Sequence, residues 1–220
     1  MLGIPRGKWS TTSNTDQTDQ HQFQRALNGY TQLVTDRIKQ AWSCYLVTVL
    51  FSQFPGSRPT IISRMKQEVQ RVYSTLITRV HRKPRTASPD ELPILIGAVD
   101  LPVHKSDRSS APLVRCNGGL HFHALILVPG RSRLREPLQD HFQDCARLYG
   151  VDGTISKIDV RPVADGYERV VDYVFKTIKR GRVSYDEGVL VLPRARDELT
   201  SRRLEPGSGW SSNSGASFTE

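Results

Sequence analysis

The chain alternates between two hydrophobic periodicities, and this alternation constrains its fold more than any other feature. From about residue 23 to residue 180, runs with an apolar residue at every second position alternate with runs where apolar residues recur every third or fourth position. The first pattern is typical of β-strands and the second of amphipathic α-helices. Their order predicts an α+β protein in which helices pack on a central, mainly antiparallel sheet.

Eight segments follow this pattern in chain order. We predict helices over about 23–42, 62–80, 134–149 and 167–180, and strands over about 44–54, 92–103, 118–129 and 154–163. After the first helix, the order is therefore βαββαβα. A β-like run over 182–193 has no place in this order. The loop His104–Asn117 between the two central strands is longer than a hairpin needs, so their register is left open.

The two ends of the chain differ in composition from the middle. Residues 1–22 are polar and aperiodic, and residues 194–220 form a polar tail rich in Gly and Ser. Such segments bury too little apolar surface to fold, so we predict two disordered ends around one domain, residues 23–193. No apolar run approaches the ~18 residues of a membrane-spanning helix, and the N-terminal segment lacks a signal-peptide core. We therefore expect a cytoplasmic protein with no membrane partner.

The net charge indicates a kind of binding partner, and the cysteines argue against two classes of small protein. A formal net charge of +9 suits a polyanionic partner, because Lys and Arg contacts to phosphates release counterions. The three cysteines, Cys44, Cys116 and Cys145, show neither CxxC spacing nor a regular framework. This argues against a cysteine-rich zinc site and a disulfide scaffold, and predicts reduced thiols.

Two histidines stand two positions apart in the strand predicted over 118–129. Side chains alternate between the faces of a strand, so His121 and His123 point the same way while Phe122 points into the opposite layer. Two imidazoles that converge in this way suit a divalent metal. The alternative is that both histidines lie on a solvated face, but the rest of the strand is apolar, where an unpartnered pair is costly.

An acidic residue ends the neighbouring strand. Asp100 follows the apolar run that begins at Ile94, and from there it could supply an oxygen ligand to the same metal. The alternative is an Asp that merely begins a turn. Because the loop after Asp100 is long, His104 or Asp107 could also compete as the third ligand.

The last predicted helix carries a tyrosine outside its apolar stripe. That stripe consists of Tyr167, Val170, Val171, Val174 and Ile178. Tyr173 lies about 120° from the middle of the stripe, on the side that Lys176 and Arg180 share. Fixed cations favour the ionised phenol and offset the charge that develops when it attacks a phosphodiester, so Tyr173 is a candidate nucleophile. The alternative is an exposed tyrosine on an ordinary basic helix.

Further basic residues are candidates for contact with the DNA backbone. Lys179, Arg180 and Arg182 follow the candidate nucleophile directly, whereas Arg131 and Arg133 lie in a loop after the histidine strand and could equally form a solvated turn. On the strand over 154–163, Lys157, Asp159 and Arg161 share one face. They could line a DNA cleft or pair among themselves.

Together, His121-Phe122-His123 and the later Tyr173-Val174-Phe175-Lys176 resemble the histidine-hydrophobic-histidine (HUH) endonucleases, in particular the single-tyrosine initiators of rolling-circle replication. The resemblance covers roughly residues 43–180. It implies an RRM-like nuclease fold and a divalent metal, Mn²⁺ or Mg²⁺, on His121, His123 and an acidic or polar third ligand such as Asp100. It also implies that Tyr173, assisted by Lys176, nicks single-stranded DNA at an origin or hairpin through a reversible 5′-phosphotyrosine link.

Two departures refine what the resemblance implies. Position 177 is Thr, which points away from the two-tyrosine initiators, and no G-x-x-x-x-G-K-[ST] loop is present, so a host helicase would unwind the DNA for a host polymerase. The same chemistry would serve a relaxase or a single-strand transposase, and a non-catalytic DNA-binding protein on the same fold is a further alternative. Sequence alone does not separate a plasmid, phage or transposon role.

Overall fold

A five-stranded antiparallel sheet forms the centre of the protein in the computed structural model, which describes residues 14–101 and 116–194. Its strands are β1 (Ser43–Phe51), β2 (Ile94–Asp100), β3 (His121–Val128), β4 (Ile155–Pro162) and β5 (Val189–Leu192). They lie in the order β4-β1-β3-β2-β5, and every adjacent pair is antiparallel. Helices pack on the sheet, which confirms the predicted fold class.

The helices cover both sides of this sheet. They are α1 (Asn14–Lys39), α2 (Arg58–Val80), α3 (Leu138–Asp144), α4 (Tyr167–Val174), α5 (Lys176–Lys179) and α6 (Tyr185–Gly188). Short 3₁₀ turns occur at Pro89–Glu91, Cys116–Gly119 and Ala146–Tyr149. No helix within the described residues is long and apolar enough to cross a membrane.

The strand period of two divides the core into two layers. Phe122 and Ile126 of β3 point to the side covered by α2, whose buried residues are Ile61, Ile62, Met65, Val69, Val72, Tyr73, Leu76 and Val80. Leu125 and Leu127 point to the opposite side, where they join a core with α1, α4 and α5. His121 and His123 have the parity of Leu125 and Leu127, so they lie on the side of α4 and α5.

Strand pairing places the acid opposite the histidines. In the β2–β3 ladder, Asp100 pairs with His121 and Ala98 pairs with His123, so the long connection between the strands does not shift Asp100 away from them. In the β1–β3 ladder, Thr48 pairs with His123. Three strands therefore bring polar side chains to one end of one face of the sheet.

The N-terminal helix begins earlier than predicted, and the final β-like run, which the sequence left without a place, forms part of the sheet. Helix α1 begins at Asn14, within the segment predicted to be disordered. Residues 14–22 contain no apolar side chain, so periodicity has no signal there, yet a helix already nucleated extends by one backbone hydrogen bond per added residue. The run over 182–193, which had no place in the predicted order, contains α6 and then β5, the edge strand beside β2.

Two predicted helices are interrupted. The helix predicted over 134–149 begins only after Pro137, which lacks a backbone N–H, and changes to a 3₁₀ turn after Cys145. The helix predicted over 167–180 is divided at Phe175, where φ is −98° and ψ is 9°. This division separates α4, which carries Tyr173, from α5, which carries Lys176 and packs against β2.

Candidate metal site and the tyrosine beside it

Asp100, His121 and His123 converge at the paired ends of β2 and β3. The Nε2 atoms of His121 and His123 lie 3.0 Å and 3.4 Å from Asp100 Oδ2, and 3.1 Å from each other. These three side chains form a group that could hold a metal ion. Asp100, the third ligand expected from the sequence, therefore joins the two histidines, while His104 and Asp107 lie outside the described residues.

Hydrogen bonds on the far side of each ring orient the two imidazoles. His121 Nδ1 lies 3.0 Å from the carbonyl oxygen of Gly119, which can only accept, so Nδ1 carries a proton. His123 Nδ1 lies 3.0 Å from the hydroxyl of Thr48, which can accept the Nδ1 proton in the same way. With Nδ1 committed to these acceptors, Nε2 is the nitrogen that faces Asp100, and it becomes a metal ligand once the proton it shares with the carboxylate is replaced by the metal.

Burial and neighbouring charges set the protonation of this cluster. Burial alone would raise the pKa of Asp100, but the His121, His123 and Lys176 nitrogens and the Thr177 hydroxyl outweigh burial and hold that pKa well below its usual range. Burial lowers the pKa of His123, and the charges of His121 and Lys176 lower it further, against the opposing effect of Asp100. An ionised carboxylate and a neutral imidazole at neutral pH are the ligand forms that a divalent metal needs.

The Asp100 carboxylate also contacts two consecutive residues of α5. Lys176 Nζ lies 2.8 Å from Oδ2, and the hydroxyl of Thr177 donates to Oδ1. The same hydroxyl accepts the backbone N–H of Leu101 at 3.1 Å. Since the side chain of Asp100 is fully buried, these contacts offset a desolvation cost that an unpaired carboxylate could not bear.

Tyr173 lies at the rim of this cluster. It is 42% exposed, which confirms that it is not part of the core, whereas Val171 and Val174 on the same helix are buried. The Tyr173 ring centroid lies 4.9 Å from that of His123, and Lys176 Nζ lies 3.8 Å from the Tyr173 ring centroid. A phenol open to solvent therefore stands against a metal-ligand candidate and a cation.

Sequence reasoning missed Thr48 and Thr177. Position 177 entered the argument only because it is not a second tyrosine, and Thr48 is an ordinary strand residue by its type. Their role depends on the β1–β3 register and on how α5 docks on β2, which a single sequence does not reveal. The available signal was that Thr48 is a polar residue in the otherwise mainly apolar strand β1.

The basic residues proposed to contact DNA are distributed unevenly around this site. Lys179 follows the site along α5 and pairs with Asp172, while Arg180 and Arg182 are exposed. Arg131 and Arg133 are also exposed but follow the opposite end of β3, roughly 25 Å from His121 at the ~3.4 Å rise of a strand residue. The first group therefore follows α5 directly along the chain, whereas the second group lies beyond the far end of the histidine strand.

The charged residues of strand β4 were predicted either to line a DNA cleft or to pair with one another. Asp159 lies 2.9 Å from Arg161 and 3.9 Å from Lys157, so these residues pair among themselves. Asp159 is opposite Thr48 in the β1–β4 ladder, and therefore shares the face that carries His123.

Comparison of the chain with protein-family models, with curated proteins and with solved structures finds no match. By its fold and its site, the molecule is an α+β protein with a candidate His-His-Asp metal site beside an exposed tyrosine. Any assignment of function therefore rests on the chemistry of these residues.

Proposed function

We propose that this protein is a metal-dependent tyrosine nuclease that nicks and rejoins single-stranded DNA, in the manner of the HUH initiators of rolling-circle replication. The observation that carries the proposal is the ring contact of Tyr173 with His123, 4.9 Å between centroids, which brings an exposed tyrosine beside the candidate metal ligands. Nucleophile and metal must meet at one phosphate for this reaction.

His121, His123 and Asp100 would hold the metal. Two neutral imidazoles with one ionised carboxylate form a mixed nitrogen and oxygen donor set, which supports Mn²⁺ and, with more water ligands, Mg²⁺. When bound, such an ion would polarise the scissile phosphate and stabilise the charge that builds up on its oxygens.

Tyr173 and Lys176 would perform the transfer. The phenol loses its proton to solvent, a bond forms between its oxygen and the phosphorus, and the bond from phosphorus to the 3′-oxygen breaks as that oxygen takes up a proton from water. The products are a 5′-phosphotyrosine and a free 3′-hydroxyl, and attack by that hydroxyl reverses the reaction. The ammonium of Lys176, 3.8 Å from the ring centroid, would stabilise the negatively charged transition state.

The proposed partners follow from this chemistry. The 3′-hydroxyl would be extended by a host polymerase, and a host helicase would separate the strands, because the chain has no phosphate-binding ATPase loop. Lys179, Arg180 and Arg182 would contact the DNA phosphates nearest the nick. Arg131 and Arg133 would reach only DNA that extends well beyond it.

The experiment that tests the proposal compares two tyrosines of one helix. Purified wild type, Tyr173→Phe and Tyr167→Phe are incubated with Mn²⁺ and single-stranded oligonucleotides that tile the DNA flanking the gene, labelled at either end. Tyr167 is the matched control, since its hydroxyl donates to the carbonyl of Ala164 rather than facing the cluster.

We expect a covalent adduct on the downstream fragment with wild type and Tyr167→Phe, and none with Tyr173→Phe or with EDTA. An adduct that persists in Tyr173→Phe would refute the assignment of the nucleophile. Binding of these strands without cleavage, with Mn²⁺ and with Mg²⁺, would favour a DNA-binding protein that has no nuclease activity.

A further inference from the structure

One oxygen of Asp100 faces both the two imidazoles and the ammonium of Lys176. Oδ2 is the oxygen that faces both imidazoles, and it is also the oxygen 2.8 Å from Lys176 Nζ. Oδ1 is held separately, by the hydroxyl of Thr177. The two halves of the carboxylate are therefore tied to neighbouring residues of α5 in different ways, one by an ammonium and one by a neutral donor.

A metal on the candidate ligands would compete with the lysine. The carboxylate of Asp100 is fully buried and carries a charge that must be neutralised locally. Lys176 supplies that neutralisation in the structure. Its side chain is 22% exposed, so its ammonium can move from the carboxylate into solvent. A divalent ion held by Oδ2 and the two Nε2 atoms would take over the neutralisation and repel the ammonium.

We propose that Lys176 is a built-in counter-ion which a divalent metal displaces from Asp100 Oδ2, while Thr177 keeps its hold on Oδ1. This inference rests on the metal site of the proposed function and on none of its DNA chemistry. Thr177 is 1% exposed, and its hydroxyl both donates to Asp100 and accepts from the Leu101 N–H, so it stays in place when the metal enters.

Displacement gives the lysine a second position. Its Nζ already lies 3.8 Å from the centroid of the Tyr173 ring, so a rotation of its flexible stem is enough to bring the charge to a phosphate beside that tyrosine. Because Thr177 continues to dock α5 on the end of β2, the helix segment need not move. Metal loading would then precede and prepare the binding of a phosphate at Lys176.

The test measures metal affinity without DNA. Mn²⁺ is titrated, with detection of free Mn²⁺ by electron paramagnetic resonance, into wild type, Lys176→Met, Thr177→Val and Lys179→Met. Methionine keeps the length of the lysine stem and removes its charge. Lys179 is the matched control, because it is on the same helix and its partner is Asp172 rather than Asp100.

Competition predicts changes of opposite sign at adjacent residues. Lys176→Met should bind Mn²⁺ roughly tenfold more tightly, since wild type must first break a charge-assisted contact. Thr177→Val should bind roughly tenfold more weakly, as is common when an outer-shell partner of a ligand is lost. Lys179→Met should match wild type, which separates competition from a general loss of positive charge.

A second measurement uses the unaltered protein in case a variant does not fold. Reductive methylation of lysines, followed by mass spectrometry, should label Lys176 faster when Mn²⁺ is present, with Lys179 unchanged. Equal or weaker Mn²⁺ binding by folded Lys176→Met, unchanged labelling of Lys176, or absence of Mn²⁺ binding by wild type would overturn the inference. If DNA is never cleaved and yet these metal results appear, the counter-ion inference stands and the nuclease proposal fails.

Discussion

Gly97 offers a quantitative test of how tightly the histidine strand is packed. It lies in β2 beside Ala124 of β3, and a Cβ added to it would stand 2.7 Å from the His123 carbonyl oxygen and 2.8 Å from Ala124 Cβ. Ordinary contacts between such atoms begin near 3.4 Å. The carbonyl belongs to the sheet backbone, so relieving the clash in Gly97→Ala requires β2 and β3 to move apart, which shifts His123 relative to Asp100.

Overpacking of a core by one carbon costs about 1–3 kcal/mol, and the upper part of this range applies where backbone must shift. We expect Gly97→Ala to lower the free energy of unfolding by about 3 kcal/mol, a fall in Tm of roughly 6–12 °C for a domain of this size. Urea denaturation followed by circular dichroism measures the first quantity, and a thermal scan measures the second.

The control is another glycine of the same chain. Gly29 lies within α1, and a Cβ added there meets nothing within 4 Å, so Gly29→Ala should stabilise the protein by up to about 1 kcal/mol. If Gly97→Ala costs less than about 1 kcal/mol, β2 and β3 are not packed as closely as described, and the position of His123 would need revision.

Three further predictions concern polar and titratable groups. Thr48→Val should weaken Mn²⁺ binding on the order of 10-fold or more in a titration, because His123 loses its Nδ1 partner; unchanged affinity would contradict that role. Burial raises the pKa of the Cys44 thiol to about 12, so its contribution to stability should be constant below its ordinary pKa near 9 and fall as the pH rises towards 12. Urea titrations of wild type and Cys44→Ala over that range should show a smaller decline in the variant. His141→Leu leaves the buried Tyr149 hydroxyl without its partner at 2.8 Å and should cost about 1–3 kcal/mol of unfolding free energy; a neutral result would refute the importance of this pair.

Most of the sheet was predictable because the local hydrophobic pattern of the sequence identifies its longer strands. Period-two runs identified β1 to β4 within a few residues, and the parity of His121 and His123 followed from the same period. Strand β5 was not identified, since its four residues follow a short helix and are defined by pairing with β2. The N-terminal turns of α1 were missed because no apolar residue marks them.

The site was predictable only in the part that lies on strands. Two strand residues at i and i+2 share a face whatever the tertiary structure, so His121 and His123 could be paired from sequence. Asp100 required the β2–β3 register, which the length of the intervening loop left open and which backbone pairing decides. Thr48 required the register of a strand far away in the chain.

The contacts of α5 with Asp100 show a limit of predicting contacts from helix faces. Two consecutive residues of this helix bind the same carboxylate. Consecutive residues of a helix point about 100° apart, so face patterns assign Lys176 and Thr177 to different surroundings. They meet at one carboxylate because Thr177 is short and buried against Oδ1, while the long stem of Lys176 brings its ammonium back to Oδ2 from a more exposed position. The same difference in length and exposure is what would let a metal release the lysine and leave the threonine bound.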